Sequence, residues 1–271
     1  MRLLRSLALL ALPCQVLLTA CKQDLDIVDA PCNGPSASPE GRVLVRYQEQ
    51  LTTQGPQPTL LCTTQKIYPC YNYSLRQVVS FTGSQASIAF PGVTEPTGCL
   101  TSLGPASTLV SLSDAAAGTY AVSWQGAGRR TAGTLLVAAD RVELSSCDSN
   151  TVAVRYPITR RIPATTVWGQ SYARTPAAQT AVAVVLDSLR RVGAVPVQLP
   201  AGHYSYFNVD ASGQLIPIPA GQNGQPATAV VTPVLLSYSG SFAHIKRILQ
   251  RKPQGADLSF GLSSARGEYA W

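Results

Sequence analysis

The sequence predicts a mainly β protein: an N-terminal antiparallel β-sandwich followed by an α+β domain with one prominent helix. Three observations carry this expectation. Short runs in which apolar and polar residues alternate recur from residue 43 onward, as half-buried strands require. The chain holds 21 glycines and 20 prolines among 271 residues, above the usual share, so turns are frequent and long helices are not. Only one stretch keeps a sustained helical period. Charged residues make up 13% of the chain, about half the usual ~25%, which excludes a coiled coil and a charged disordered chain. At 45% hydrophobic residues, the length suffices for one or two domains with cores of their own.

Residues 1–20 read as an export signal. Arg2 and Arg5 give a basic start, and residues 7–18 form an apolar core too short to span a bilayer, which takes ~20 residues. The segment closes on Leu18-Thr19-Ala20-Cys21, which resembles the lipobox of bacterial lipoproteins. That resemblance implies cleavage before Cys21, a diacylglycerol on its sulfur and an acylated amino group. Each buried methylene contributes ~0.8 kcal/mol, and two or more chains hold a protein at a membrane stably. Membrane lipid is therefore an expected partner through acylated Cys21, and the cell envelope at the outer membrane is the expected location. Lys22-Gln23-Asp24-Leu25-Asp26 is similar to the surface-export signal of Bacteroidota lipoproteins, with Gln23 as a departure, so the membrane face stays open. Residues 21–40, with Asn33-Gly34-Pro35-Ser36 and Pro39, read as a tether with a reach of about 25 Å when flexible.

Residues 41–148 carry the sandwich pattern. Val43, Val45 and Tyr47 alternate with Leu44, Arg46 and Gln48. Further strands are expected at 77–81, 86–90, 107–112, 119–124, 134–138 and 141–144. Turn signals at Thr82-Gly83-Ser84, Ala117-Gly118 and Gly126-Ala127-Gly128 separate them, a spacing that fits an antiparallel, immunoglobulin-like sandwich. Residues 149–271 read as α+β. Thr175 is a suitable N-cap with Pro176 at the first helical position. Val182, Val185, Leu186, Leu189 and Val192 follow at helical spacing, Arg190 and Arg191 suit the last turn, and Gly193 stops the helix. Strands are expected at 195–199, 203–209, 214–218 and 228–238, a short helix around Phe242, Ile245, Ile248 and Leu249, and closing strands at 258–262 and 268–271. Ala201-Gly202-His203-Tyr204 echoes Ala117-Gly118-Thr119-Tyr120.

Setting aside Cys14 and Cys21, five cysteines remain: Cys32, Cys62, Cys70, Cys99 and Cys147. No Cys-x-x-Cys pattern occurs, so disulfides suit an oxidising envelope better than metal or redox chemistry. Cys70–Cys99 is the first choice, Cys62–Cys70 the competing pair, and Cys62–Cys147 is compatible with the first. Tyr68-Pro69-Cys70-Tyr71-Asn72-Tyr73, Gly98-Cys99-Leu100 and Val167-Trp168-Gly169 together resemble a group of Bacteroidota envelope lipoproteins without an assigned activity. The resemblance implies location and a shared fold.

Motifs for chemistry are sparse. Two histidines, His203 and His244, supply a metal site poorly, and no metal ligands or cofactor are expected. Gly169-Gln170-Ser171-Tyr172-Ala173 falls one residue short of a nucleophile elbow, with Asp210 and His244 following in hydrolase order, but the helix starts four residues late. No catalytic residue is assigned, and an envelope hydrolase is kept only as an alternative. Charge is uneven: residues 21–149 hold 8 Lys/Arg against 10 Asp/Glu, residues 150–271 hold 11 against 4. Arg155, Arg160, Arg161 and Arg174 precede the helix, and Lys246, Arg247, Arg251 and Lys252 follow the last long apolar run. Such a field attracts anions, which in an envelope are acidic glycans or lipopolysaccharide rather than nucleic acid. Trp168, Tyr172, Tyr204 and Tyr206 are candidate ligand-stacking residues, with Tyr204 and Tyr206 expected on one face of a strand. The expected function is a lipid-anchored binding or structural module. An accessory subunit of an outer-membrane assembly is the further alternative.

Overall fold

A computed structural model describes residues 41–99, 101–219, 228–251 and 257–271. The expected signal segment, the tether, Cys21 and Cys32 lie outside the described residues, as does Lys252. The fold is mainly β with one long helix. In chain order it runs β1 (Val43–Thr52), β2 (Gly55–Tyr68), β3 (Ser74–Thr82), β4 (Gln85–Thr94), β5 (Gly104–Ser111), β6 (Gly118–Gly126), β7 (Arg129–Val137), β8 (Arg141–Leu144), β9 (Val152–Val154) and β10 (Ile158–Arg160). It continues with β11 (Thr166–Ala173), α1 (Pro176–Arg191), β12 (Val195–Pro196), β13 (Gly202–Tyr204), β14 (Phe207–Val209), β15 (Val230–Ser237), α2 (Phe242–Gln250), β16 (Leu258–Ser264) and β17 (Tyr269–Ala270).

Twelve strands form one curled sheet in the order β14-β13-β10-β8-β7-β6-β4-β3-β5-β2-β1-β9. It bends over on itself around a single core that takes Val45 and Tyr47 from β1, Leu60 from β2, Ile88 from β4, Trp124 from β6 and Leu135 from β7. Tight hairpins set the registers. Thr82 pairs Gln85 across Gly83-Ser84, and Gly126 pairs Arg129 across Ala127-Gly128, where both turn residues have positive φ (49° and 75°) as a right-twisted hairpin needs. Hydrogen bonding passes the expected boundary at 148: β9 pairs in parallel with β1, and β10 pairs with β8. The longest strand, β2, was not among the expected ones. Its Pro56, Pro58, Gln65 and Lys66 break the alternation, and a bulge between Thr63 and Ile67 shifts its register.

Cys70 and Cys99 form a disulfide, tying the β2–β3 loop to the β4–β5 loop. Cys62 is instead a free thiol facing the core from β2, so neither Cys62–Cys70 nor Cys62–Cys147 forms. Burial pushes the Cys62 thiol far up, which keeps it protonated and unreactive.

The second sheet, β12-β15-β11-β16-β17, is antiparallel throughout. Both helices cover one of its faces, where Val182, Val185 and Leu189 of α1 and Ile245 and Leu249 of α2 meet Val234, Leu236 and Leu262. α1 begins as its sequence predicts: Thr175 Oγ1 accepts from the Ala178 N–H at 3.2 Å, and Pro176 follows. The other face packs Trp168 and Leu235 on Tyr204, Phe207 and Leu51, joining the two sheets. Three expected strands differ. Residues 203–209 are not one strand but a hairpin turning at Ser205-Tyr206, with Tyr204 opposite Phe207. Of 195–199 only Val195–Pro196 pair, and of 214–218 only Leu215 makes a bridge, to Val209.

The echoed Ala-Gly-x-Tyr segments build the same corner twice. Gly118 and Gly202 both have positive φ (154° and 143°), and Tyr120 and Tyr204 each donate to a carbonyl four residues back, on Ala116 and Pro200. The hydroxyl satisfies a turn carbonyl while the ring fills the sheet edge.

Candidate functional site

Among the described residues two places gather polar and aromatic side chains: the first borders the layer between the two sheets, and the second lies on the first sheet. The first centres on Glu49, which follows Val43, Val45 and Tyr47 in the inward series of β1 and is fully buried. Its Oε2 accepts from the Ile162 N–H at 2.8 Å, and its Oε1 accepts from the Tyr47 hydroxyl at 3.1 Å and lies 3.5 Å from Arg161 Nε. Its backbone N–H donates to Ser205 Oγ at 3.0 Å, and its carbonyl accepts from the Tyr206 hydroxyl at 2.6 Å. One residue thus joins β1 to the segment after β10 and to the β13–β14 turn. Burial pushes the Glu49 carboxyl above the usual range, opposed by the Ile162 N–H, the Tyr47 hydroxyl and Arg161. Burial and the neighbouring Glu49 push the Tyr47 phenol far up as well. Beside Glu49 opens a cleft of about 530 Å³, walled by Arg160, Arg161, Asp140, Pro163, Leu199 and Tyr204. Arg160 is already engaged there, donating to the Ala201 carbonyl at 2.8 Å and lying 3.5 Å from Asp140. With Glu49 answering Arg161 as well, the cleft is a satisfied joint, and its charges balance in pairs.

The second place is the outer face of β1. Alternation turns Leu44, Arg46 and Gln48 away from the core. Beyond the edge strand β9, Arg155 donates its N–H to the Val45 carbonyl at 2.8 Å, which seats it beside Arg46. Tyr156 follows with φ 57°, a left-handed conformation uncommon for a large side chain. Its ring stacks on His203 at 3.7 Å between centroids and 20° between planes. His203 Nδ1 lies 2.8 Å from Asn208 Oδ1 across the hairpin. Burial and the charge of Arg46 lower the His203 pKa against the pull of Asn208, favouring a neutral ring. Tyr206 stands at the hairpin tip, 44% exposed.

The residues singled out in the sequence are distributed as follows. Trp168 stacks 6.0 Å from Tyr206 and meets Phe207 at 5.1 Å with the rings tilted by 37°, and Phe207 stacks 4.8 Å from Tyr204, so three of the four candidate aromatics join one cluster. Trp168 and Tyr204 are buried in it, and Tyr206 alone of these presents its ring to solvent. Tyr204 and Tyr206 do not share a strand face, because the chain turns between them. Tyr172 lies apart, accepting from Gln170, which also holds the Ile218 backbone at 2.8 Å. Ser171 is buried on β11, faces the helices rather than a cleft, and among the described residues its hydroxyl has no hydrogen-bond partner. Asp210 caps its own turn through Ser212 and Gln214, and His244 Nδ1 meets the Tyr238 hydroxyl at 3.1 Å. The serine, aspartate and histidine of the hydrolase order therefore make no bond to one another. Glu49, Arg46 and Tyr156 were missed in the sequence. A carboxylate at an inward strand position was the one available signal.

Among the described residues no group of three His, Cys, Asp or Glu is placed to hold a metal ion, and no helix is long and apolar enough to cross a membrane. Compared with known proteins, the chain matches no family model, no curated protein and no solved structure.

Proposed function

We propose that this protein is a lipid-anchored envelope protein of the outer membrane whose β-rich body serves as a binding module. The observation that carries the reading is Leu18-Thr19-Ala20-Cys21 behind a basic start and a short apolar core. The side-chain arrangement favours binding over hydrolysis. Ser171 is sealed under the helices, and His203 is held by Tyr156 and Asn208 rather than by a carboxylate. The excess of positive charge after residue 150 suits an anionic partner, an acidic glycan or lipopolysaccharide.

Growth of the source organism with radiolabelled palmitate tests the anchor. The wild-type chain takes up label and stays with membranes through a high-salt wash, whereas Cys21→Ala takes up none and is released. Retention of Cys21→Ala on membranes, or an intact mass without acyl groups, overturns the reading.

A further inference from the structure

We infer that the outer face of β1, with the segment following β9, is a binding site for an acidic oligosaccharide: Tyr156 stacks on a sugar ring, and Arg46 and Arg155 bind its anionic groups. This rests on the envelope binding module proposed above and gives that module a site and a ligand class.

Three features converge on the same few square nanometres. The first is a pinned ring. Tyr156 is 46% exposed, yet its backbone is held in a left-handed conformation that L side chains disfavour. The ring is backed by His203, which Asn208 fixes in turn. A ring held from behind offers its front face at little further entropic loss, which is the requirement for stacking on the C–H face of a pyranose.

The second is uncompensated charge. Among the described residues neither Arg46 nor Arg155 has a carboxylate within 4 Å, in contrast to Arg160 and Arg161 across the sheet. Arg46 is oriented by Gln48, to whose Oε1 it donates at 3.1 Å. A guanidinium with open N–H groups matches a carboxylate or sulfate in bidentate geometry.

The third is room for further sugar units. A groove of about 290 Å³ leads away from the two arginines along β1 and β2, between Leu44, Leu61, Thr63 and Ile67. On the other side stands Tyr206, its hydroxyl tied to the Glu49 carbonyl. The charge of Arg46 reaches both His203, on which Tyr156 stacks, and Tyr206. A lipid surface is met by flexible lysines and protruding aliphatic groups. A locked tyrosine flanked by planar arginine, glutamine and asparagine side chains suits a saccharide better.

Calorimetric titration of the full-length chain in detergent tests this. The probes are oligomers of galacturonate, oligomers of mannuronate, sulfated oligosaccharides, methyl-esterified galacturonate oligomers and inorganic polyphosphate. At least one acidic oligosaccharide is expected to bind. For galacturonate, esterification weakens binding at least 10-fold. The double variant Arg46→Gln/Arg155→Gln weakens the acidic ligand at least 10-fold. Tyr156→Asn, a residue that tolerates the left-handed backbone, weakens it about 5-fold with an unchanged Tm. The proposal is overturned if no acidic oligosaccharide binds, if the neutral ester binds as tightly as the acid, or if polyphosphate binds as tightly and is indifferent to Tyr156→Asn. A chain that binds these ligands but carries no acyl group keeps this site and loses the membrane anchor. An acylated chain that binds none of them loses the site alone.

Discussion

Glu49 shows how one side chain can tie β1 to the chain after β10 and to the β13–β14 turn at an electrostatic cost. It accepts from the Ile162 N–H and the Tyr47 hydroxyl and faces Arg161, yet burial still raises its pKa above the usual carboxylate range. The folded state therefore binds this proton more tightly than the unfolded chain, whose glutamates titrate near ~4.3. The protonated form adds stability that is fully present below that value and is lost as pH rises through the raised folded pKa. Asp148 and Asp210 have the opposite sign, because hydrogen bonds led by the Thr151 and Ser212 hydroxyls lower their pKa values. The variant Glu49→Gln cancels the first effect and leaves the second. The difference in Tm between Glu49→Gln and wild type should rise in favour of the variant from pH 4 to pH 8. Thermal melts across that range check it, and a difference that stays flat or falls removes the assignment. The residue escaped notice in the sequence because Val43, Val45, Tyr47 and Glu49 read simply as a strand running out to its polar end.

Among the elements, legibility followed the range of the contacts that define each one. α1 was readable to the residue because all its signals are local: the Thr175 cap, Pro176, the apolar stripe through Val182, Val185 and Leu189, and Gly193 with φ 90°. Thr175→Ala removes the hydroxyl that caps the Ala178 N–H, and the chain should lose about 1 kcal/mol of unfolding free energy, measured by urea denaturation. A loss below the precision of the fit would mean that water replaces the cap. The β13–β14 hairpin was unreadable for the converse reason. Its turn residues Ser205 and Tyr206 bond to the backbone of Glu49, far away in the chain, and nothing in His203-Tyr204-Ser205-Tyr206 announces a turn. The one strand face expected to present Tyr204 and Tyr206 together is therefore absent. Tyr156 and Arg46 were invisible because their neighbourhood arises only when β9 and the hairpin come to rest against β1.

At the scale of the molecule, the mainly β class and the Cys70–Cys99 bridge could be read from pattern and spacing, while the joint between the sheets could not. That joint bears on how the chain unfolds. β9 and β10 lie past residue 148 in sequence but pair with β1 and β8, and Trp168 and Leu235 of the second sheet share a core with Leu51 and Tyr204. Separating the sheets would expose to water the Trp168 layer, which includes Ile162, the residue whose backbone N–H holds Glu49. That layer draws on both sheets and neither can rebuild it alone, so the two should unfold together. The tryptophans provide separate probes: Trp124 lies at the centre of the first core, Trp168 lies in the layer between the sheets, and Trp271 is exposed as a common background. In Trp124→Phe the fluorescence change on urea denaturation reports the joint, and in Trp168→Phe it reports the first core. Within each variant the fluorescence transition should superimpose on the loss of far-UV circular dichroism. If the Trp168 signal of Trp124→Phe is lost at lower urea while most of the dichroism persists, the sheets are independent folding units and the Trp168 layer does not couple them.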